Sequence, residues 1–114
     1  MEESILTSIK KLLGLTKEYN VFDVDIIMHI NTVFMTLNQL GVGPDEVFGI
    51  EDDLAVWKDF LYENEKEFSA VKTYIYQRVK LIFDPPSNSA HIKALQDSVN
   101  EYEWRLKTQA EFKK

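Results

Sequence analysis

Cysteine is absent from this 114-residue chain. That excludes disulfides, thiolate zinc sites and cysteine nucleophiles. Long apolar runs are also missing, and none approaches the ~18–20 residues that cross a bilayer as a helix. Positive charge is in short supply, with 13 Lys and Arg against 19 Asp and Glu and a formal net charge of -6. Nucleic-acid binding is dominated by phosphate neutralisation, so this balance argues against nucleic acid as the main partner. The opening residues Met1-Glu2-Glu3-Ser4 are acidic where a signal peptide is basic, so the chain is expected not to be secreted by that route. Glycine and proline number only four and three, and no flexible linker, repeat or low-complexity block interrupts the chain.

Apolar and aromatic residues are plentiful. Hydrophobic residues make up 45% of the chain and aromatics 12%, enough for one folded domain without disulfide or metal. Their spacing is helical. Ile5, Leu6, Ile9, Leu12 and Leu13 form one stripe, with Ser4 placed as N-cap and Gly14 as C-cap. Asp23 opens a second helix whose stripe is Ile26, Ile27, Ile30, Val33, Phe34, Leu37 and Leu40, closed by Gly41. Its other face is read as Asp25, His29, Thr32, Thr36 and Gln39. Glu51-Asp52-Asp53 places negative charge ahead of a third helix with Leu54, Trp57, Phe60 and Leu61 inward. A fourth begins near Asn64 on the register Phe68, Val71, Ile75, Val79 and Ile82, and Asp84-Pro85-Pro86 ends it. Ser87-Asn88-Ser89 supplies caps for a long last helix striped by Ile92, Leu95, Val99, Tyr102 and Leu106.

The expected fold is mainly α: a compact bundle of four to five helices with a long C-terminal helix. An irregular loop or short strand is expected near residues 41–53. Val47-Phe48-Gly49-Ile50 could extend there, but a lone strand must pair with another segment or another subunit. Beyond Leu106 the apolar stripe fades while helix formers persist. Residues 1–106 therefore read as one helical domain, and 107–114 as an extension that projects or orders on a partner.

Charge is uneven. Between Asp45 and Glu67 stand nine acidic residues against two lysines, a net of -7 that leaves the rest of the chain near +1. Such a stretch reads as a solvated face, or as a docking patch for a basic neighbour.

A search for chemistry finds little. Asp25 and His29 share a helix face by their spacing of four, but no further ligands converge on them. His91 reads as a surface residue. Gly41 and Gly43 lack the Gly-Lys-Ser/Thr ending of a phosphate loop, and Pro44 removes an amide donor there. Glu51-Asp52-Asp53 lacks the alternation of a calcium loop, and no serine sits in a nucleophile elbow. The expectation is no enzyme, no metal and no cofactor. Tyr76 and Trp104 fall beside the stripes, where amphipathic aromatics serve as interface anchors.

Several runs carry a resemblance. They are Lys10-Lys11-Leu12-Leu13-Gly14-Leu15, Phe22-Asp23, Ile26-Ile27-Met28-His29-Ile30-Asn31 and Leu37-Asn38-Gln39-Leu40-Gly41-Val42-Gly43-Pro44. Trp57 follows before an acidic helix. Then come Val71-Lys72-Thr73-Tyr74-Ile75-Tyr76, Phe83-Asp84-Pro85-Pro86 and Glu101-Tyr102-Glu103-Trp104-Arg105-Leu106. Over nearly its whole length the chain resembles the head–tail connector (adaptor) family of tailed bacteriophages. The resemblance implies a structural virion protein at the head–tail junction, present in the host cytoplasm during assembly. It implies a ring beneath the portal protein, commonly of twelve copies, with a C-terminal helix or tail reaching the portal. A tail-completion or stopper protein would lie on the other side. DNA would pass through without sequence-specific binding, and no membrane would be involved.

Two hypotheses follow. In the first, the 41–53 loop and the tail from Arg105 onward make the inter-subunit and portal contacts. Its candidate interface residues are Val47, Phe48, Ile50, Tyr76, Trp104, Arg105, Lys107 and Phe112. A mildly basic end (Arg105, Lys107, Lys113, Lys114) and an acidic middle would supply the two unlike faces that head-to-tail contacts need. In the second, the chain is a small acidic regulatory or adaptor protein of the cytoplasmic stage, binding a basic partner or mimicking DNA.

Overall fold

A computed structural model describes residues 3–62 and 65–112. Five helices follow in order: α1 (Ile5–Leu12), α2 (Asp23–Gln39), α3 (Trp57–Leu61), α4 (Phe68–Phe83) and α5 (Ser89–Phe112), with a 3-10 turn at Glu65–Glu67 before α4. The mainly α architecture with a long last helix is the one the periodicity called for. The body measures 39 × 35 × 19 Å, about two helix diameters thick. α4 lies between α2 and α5, and α1 packs on both α2 and α4.

Helix ends are where local chemistry is most visible. The Ser4 hydroxyl accepts from the Thr7 N–H at 3.2 Å, capping α1. α1 and α2 both close on a left-handed glycine, Gly14 (φ +86°) and Gly41 (φ +85°). In each, the glycine N–H and the next N–H turn back to helical carbonyls: Gly14 to Lys11 and Leu15 to Lys10, then Gly41 to Asn38 and Val42 to Leu37. This pairing satisfies carbonyls the helix leaves open. Asn88 caps α5, its Oδ1 accepting from Ala90 N at 2.7 Å and His91 N at 3.3 Å. Asp23 is the first helical residue of α2 rather than its cap. Its carboxylate stands 2.9 Å from the buried Lys10 ammonium, which also donates to the Lys17 carbonyl at 3.0 Å.

The core joins α1 (Ile5, Ile9), α2 (Ile26, Ile30, Val33, Phe34, Leu37), α3 and α4 (Val71, Tyr74, Ile75, Val79). Trp57 is fully buried, stacks edge-on with Phe68 at 5.7 Å, and donates its indole N–H to Ser8 Oγ at 2.9 Å. That bond spends the one polar atom of the side chain inside the core.

Two expectations are corrected, one on α3 and one on α4. The helix anticipated from Glu51 begins only at Trp57. Asp52 instead accepts from the Leu54 N–H at 2.9 Å, an aspartate turn that competes with helix. The next residues pair with the N-terminal segment, Ile5 N donating to Ala55 O at 2.9 Å and Ser4 bridging Val56, which leaves Leu54 78% exposed rather than inward. α4 begins at Phe68, while Asn64 lies outside the described residues. Ile82 is exposed, and Tyr74 takes a core position in its stead, because the buried face of α4 follows both α2 and α5 rather than one straight stripe. α5 itself runs unbroken past Leu106 to Phe112. Ala110, only 7% exposed, packs where the chain turns at Gly41, and a Cβ on that glycine would sit 3.3 Å from it.

Candidate assembly interface

The eight residues singled out from sequence separate into two groups. Ile50 is 3% exposed. Its N–H donates to Asn31 Oδ1 at 2.8 Å, and its carbonyl accepts from Asn31 Nδ2 at 2.9 Å. One side-chain amide thus does for this extended residue what a neighbouring strand would do. Phe48 is half-buried in an aromatic trio, 5.0 Å from Phe34 and 5.3 Å from Phe60 by ring centroids, with Phe34 and Phe60 4.7 Å apart. Both lie outside any helical stripe, yet Ile50 is part of the buried core and Phe48 packs against it. Val47 alone of the loop's apolar residues is exposed.

The loop is held at its base as well. Asn38 Nδ2 donates to the Asp45 carbonyl at 3.1 Å and reaches the Pro44 carbonyl at 3.4 Å. Gly43 has φ +91°, and a Cβ there would fall 2.5 Å from the Phe60 ring. The backbone therefore passes directly over that ring, which only glycine allows. With the loop fixed, its carboxylates Asp45, Glu46, Glu51, Asp52 and Asp53 all stand in solvent.

The second group lies on α4 and α5. Tyr76 is half-buried. Trp104 is 67% exposed and Phe112 86%. Arg105 is exposed and paired with Glu101 at 2.8 Å, a contact within one helix. Lys107 is exposed and has no ionic partner among the described residues. Leu40, Asn100, Glu103, Trp104 and Lys107 line an open groove of about 290 Å³. Lys113 and Lys114 lie outside the described residues.

α5 is fastened to its neighbours by a polar chain at mid-length. Arg78 donates to Thr36 Oγ1 at 3.0 Å and to the Tyr74 hydroxyl at 3.1 Å, and that hydroxyl donates to Glu103 Oε2 at 2.8 Å. The chain runs from α2 through α4 to α5. Burial pushes the Tyr74 phenol up to about 12; the Glu103 carboxylate adds to the rise and Arg78 opposes it. Just ahead of α1, hydrogen bonds from Lys11 and Ser8 hold the Glu3 carboxyl below its ordinary value.

Sequence reasoning missed one surface. The outer side of α2 carries Val24, Met28 and Met35, all more than half exposed. At ~100° per residue these fall within about 40° of one another, a second apolar stripe facing away from the core. Its signal was present in the spacing of four and seven, but the stronger inward stripe masked it. Of the two residues that hold the loop, Asn31 falls between Met28 and Met35 and Asn38 one turn past Met35.

No cluster of three or more His, Asp or Glu side chains able to hold a metal occurs among the described residues, and no described helix is long and apolar enough to cross a membrane. A family model described as phage connector protein matches residues 5–113, from the first residue of α1 to just past the end of α5. The chain belongs to the phage connector family. No curated protein and no solved structure matches it. The match takes in the clamped loop, the outer stripe of α2 and the exposed end of α5, so each is part of the connector domain. A phage connector is a structural component joining head to tail, and the all-helical fold is the one expected from the resemblance.

Proposed function

We propose that this connector docks beneath the portal as one subunit of a ring, linking the DNA-filled head to the tail. The observation that carries the reading is the free end of α5, where Phe112 stands in solvent two residues beyond the last packed residue, Ala110. A rigid helix ending in an exposed aromatic is suited to reach into another protein. The portal is the partner above, and a tail-completion or stopper protein the partner below. The subunit resides in the host cytoplasm until it joins the particle. DNA passes through the ring, and the exposed carboxylates of the loop disfavour its sticking.

The test is a chain lacking residues 111–114. Ala110 keeps its contact, so the folded domain should melt as the full-length chain does. Heads formed with it should fail to bind the subunit and remain tailless. Infectious particles at full-length yield would overturn the reading, as would absence of the labelled full-length protein from the neck in images of virions.

A further inference from the structure

We propose that the outer face of α2 is the seat for the Trp104 face of α5 from the next copy of this chain. Neighbours then associate head to tail. The inference rests on the ring reading above and names the surfaces that build it.

The α2 seat has a definite chemistry. Val24, Met28 and Met35 form its floor. The two methionines are two turns apart, about 10 Å along the axis. Asn31 and Asn38 lie beside them and hold the 44–50 backbone against the helix. One wall of the seat is therefore the loop, which carries five exposed carboxylates and no cation between Asp45 and Asp53. An occupant of this seat needs a large apolar group with positive charge beside it.

The outer side of α5 has that composition. Trp104 lies across its helix from the packed Leu106 and is 67% exposed. Lys107, one turn on, has no ionic partner among the described residues, and Arg105 is spent only on a contact within its own helix. From Arg105 to Lys114 the sequence holds four cations and one acid. An indole fits a methionine floor well, since thioether sulfur packs favourably against aromatic rings. Tryptophan is also the residue most enriched among interface hot spots.

Both faces stay exposed while their helices pack on α4. They are also unlike. Pairing α2 with α2 across a two-fold axis would set two acidic loops against each other, which is unfavourable. Pairing α2 with α5 sets carboxylates near Lys107 and leaves an open seat and an open anchor at the two ends of every assembly. Such a contact propagates, and closes into a ring if its rotation allows.

The absence of cysteine makes the test clean. Thr32 is exposed beside Met28 and Met35, and Asn100 is exposed one turn before Trp104. A chain carrying both Thr32→Cys and Asn100→Cys would be treated with a short bis-maleimide, as concentrated protein and inside purified phage particles. The expected result is a covalent ladder beyond dimer in the particles. Each single variant alone should give none, and a mixture of the two single variants only dimers. Adding Trp104→Ala should cut the ladder by roughly tenfold or more at an unchanged melting temperature, and Trp104→Phe should restore part of it. Dimers from the Thr32→Cys chain alone would overturn the proposal in favour of two-fold pairing. A chain present in particles without any ladder would overturn this seat and leave the ring standing. A chain absent from particles would overturn both.

Discussion

Phe48 and Trp104 are both aromatic residues set outside any helical stripe of the sequence, yet they end in opposite places. Phe48 is enclosed by Phe34 and Phe60, on a loop pinned through Ile50 and Asn31. Trp104 stands in solvent on a helix whose inner side is already satisfied. The difference lies in the backbone. A loop residue brings unpaired N–H and C=O groups that require partners, and here a distant asparagine provides them and draws the adjacent side chains inward. A helix has paired its own backbone, so an outward side chain on it experiences no such pull. Surplus apolar residues on loops and on helices thus carry different information about partners.

Breaking the enclosed side should cost stability. The largest effect is expected from Gly43→Ala, which forces a Cβ into the Phe60 ring and a left-handed conformation on alanine. The combined strain and overpacking should remove roughly 2–4 kcal/mol, read as a lower denaturation midpoint in urea. Asn31→Ala comes next. It strands both polar groups of Ile50, for a loss of about 2–3 kcal/mol, and amide exchange should quicken at Ile50 more than in α4. If Asn31→Ala melts like the parent chain, the loop is held by Phe48 and Asn38 without it.

The polar chain through Tyr74 offers a sharper probe of how α5 is held. Its folded-state phenol titrates at about 12, above the ordinary 10. The neutral form is therefore favoured by folding. Its contribution is fully present below pH 10 and is lost as pH rises from 10 to 12. The loss should amount to roughly 2 kcal/mol, and Tyr74→Phe should abolish this part of the alkaline stability profile. The smallest effect belongs to the open side. Trp104→Ala should change folding stability by no more than about 0.5 kcal/mol, while under the proposed seat it should sharply reduce cross-linking between copies.

Much of this was legible beforehand, for identifiable reasons. α1, α2 and α5 declare themselves because a 3.6 period and a nearby cap act together, as with Ser4, Asn88 and the glycines at 14 and 41. Asp52 was misread because an acidic residue ahead of an apolar run suits a helix start and an aspartate turn equally. Pairing with Ser4 and Ile5, some fifty residues away, decided the matter. Separation along the chain also hides Asn31, whose partner lies 19 residues on, and Lys10, which looks like a surface cation at a helix end and is buried against Asp23. For the interface, Trp104 and Phe112 stood out because they break the α5 stripe. Val24, Met28 and Met35 did not, because two stripes on one helix resemble one broad one.

The link from Thr36 through Arg78 and Tyr74 to Glu103 has a mechanical side. It grips α5 near its middle, Leu106 and Ala110 extend the grip for two turns, and Phe112 stands past the last of them. α5 is in effect a stiff lever with a short free end. A load on Phe112 would bear first on the Glu103–Tyr74 hydrogen bond that ties α5 to α4.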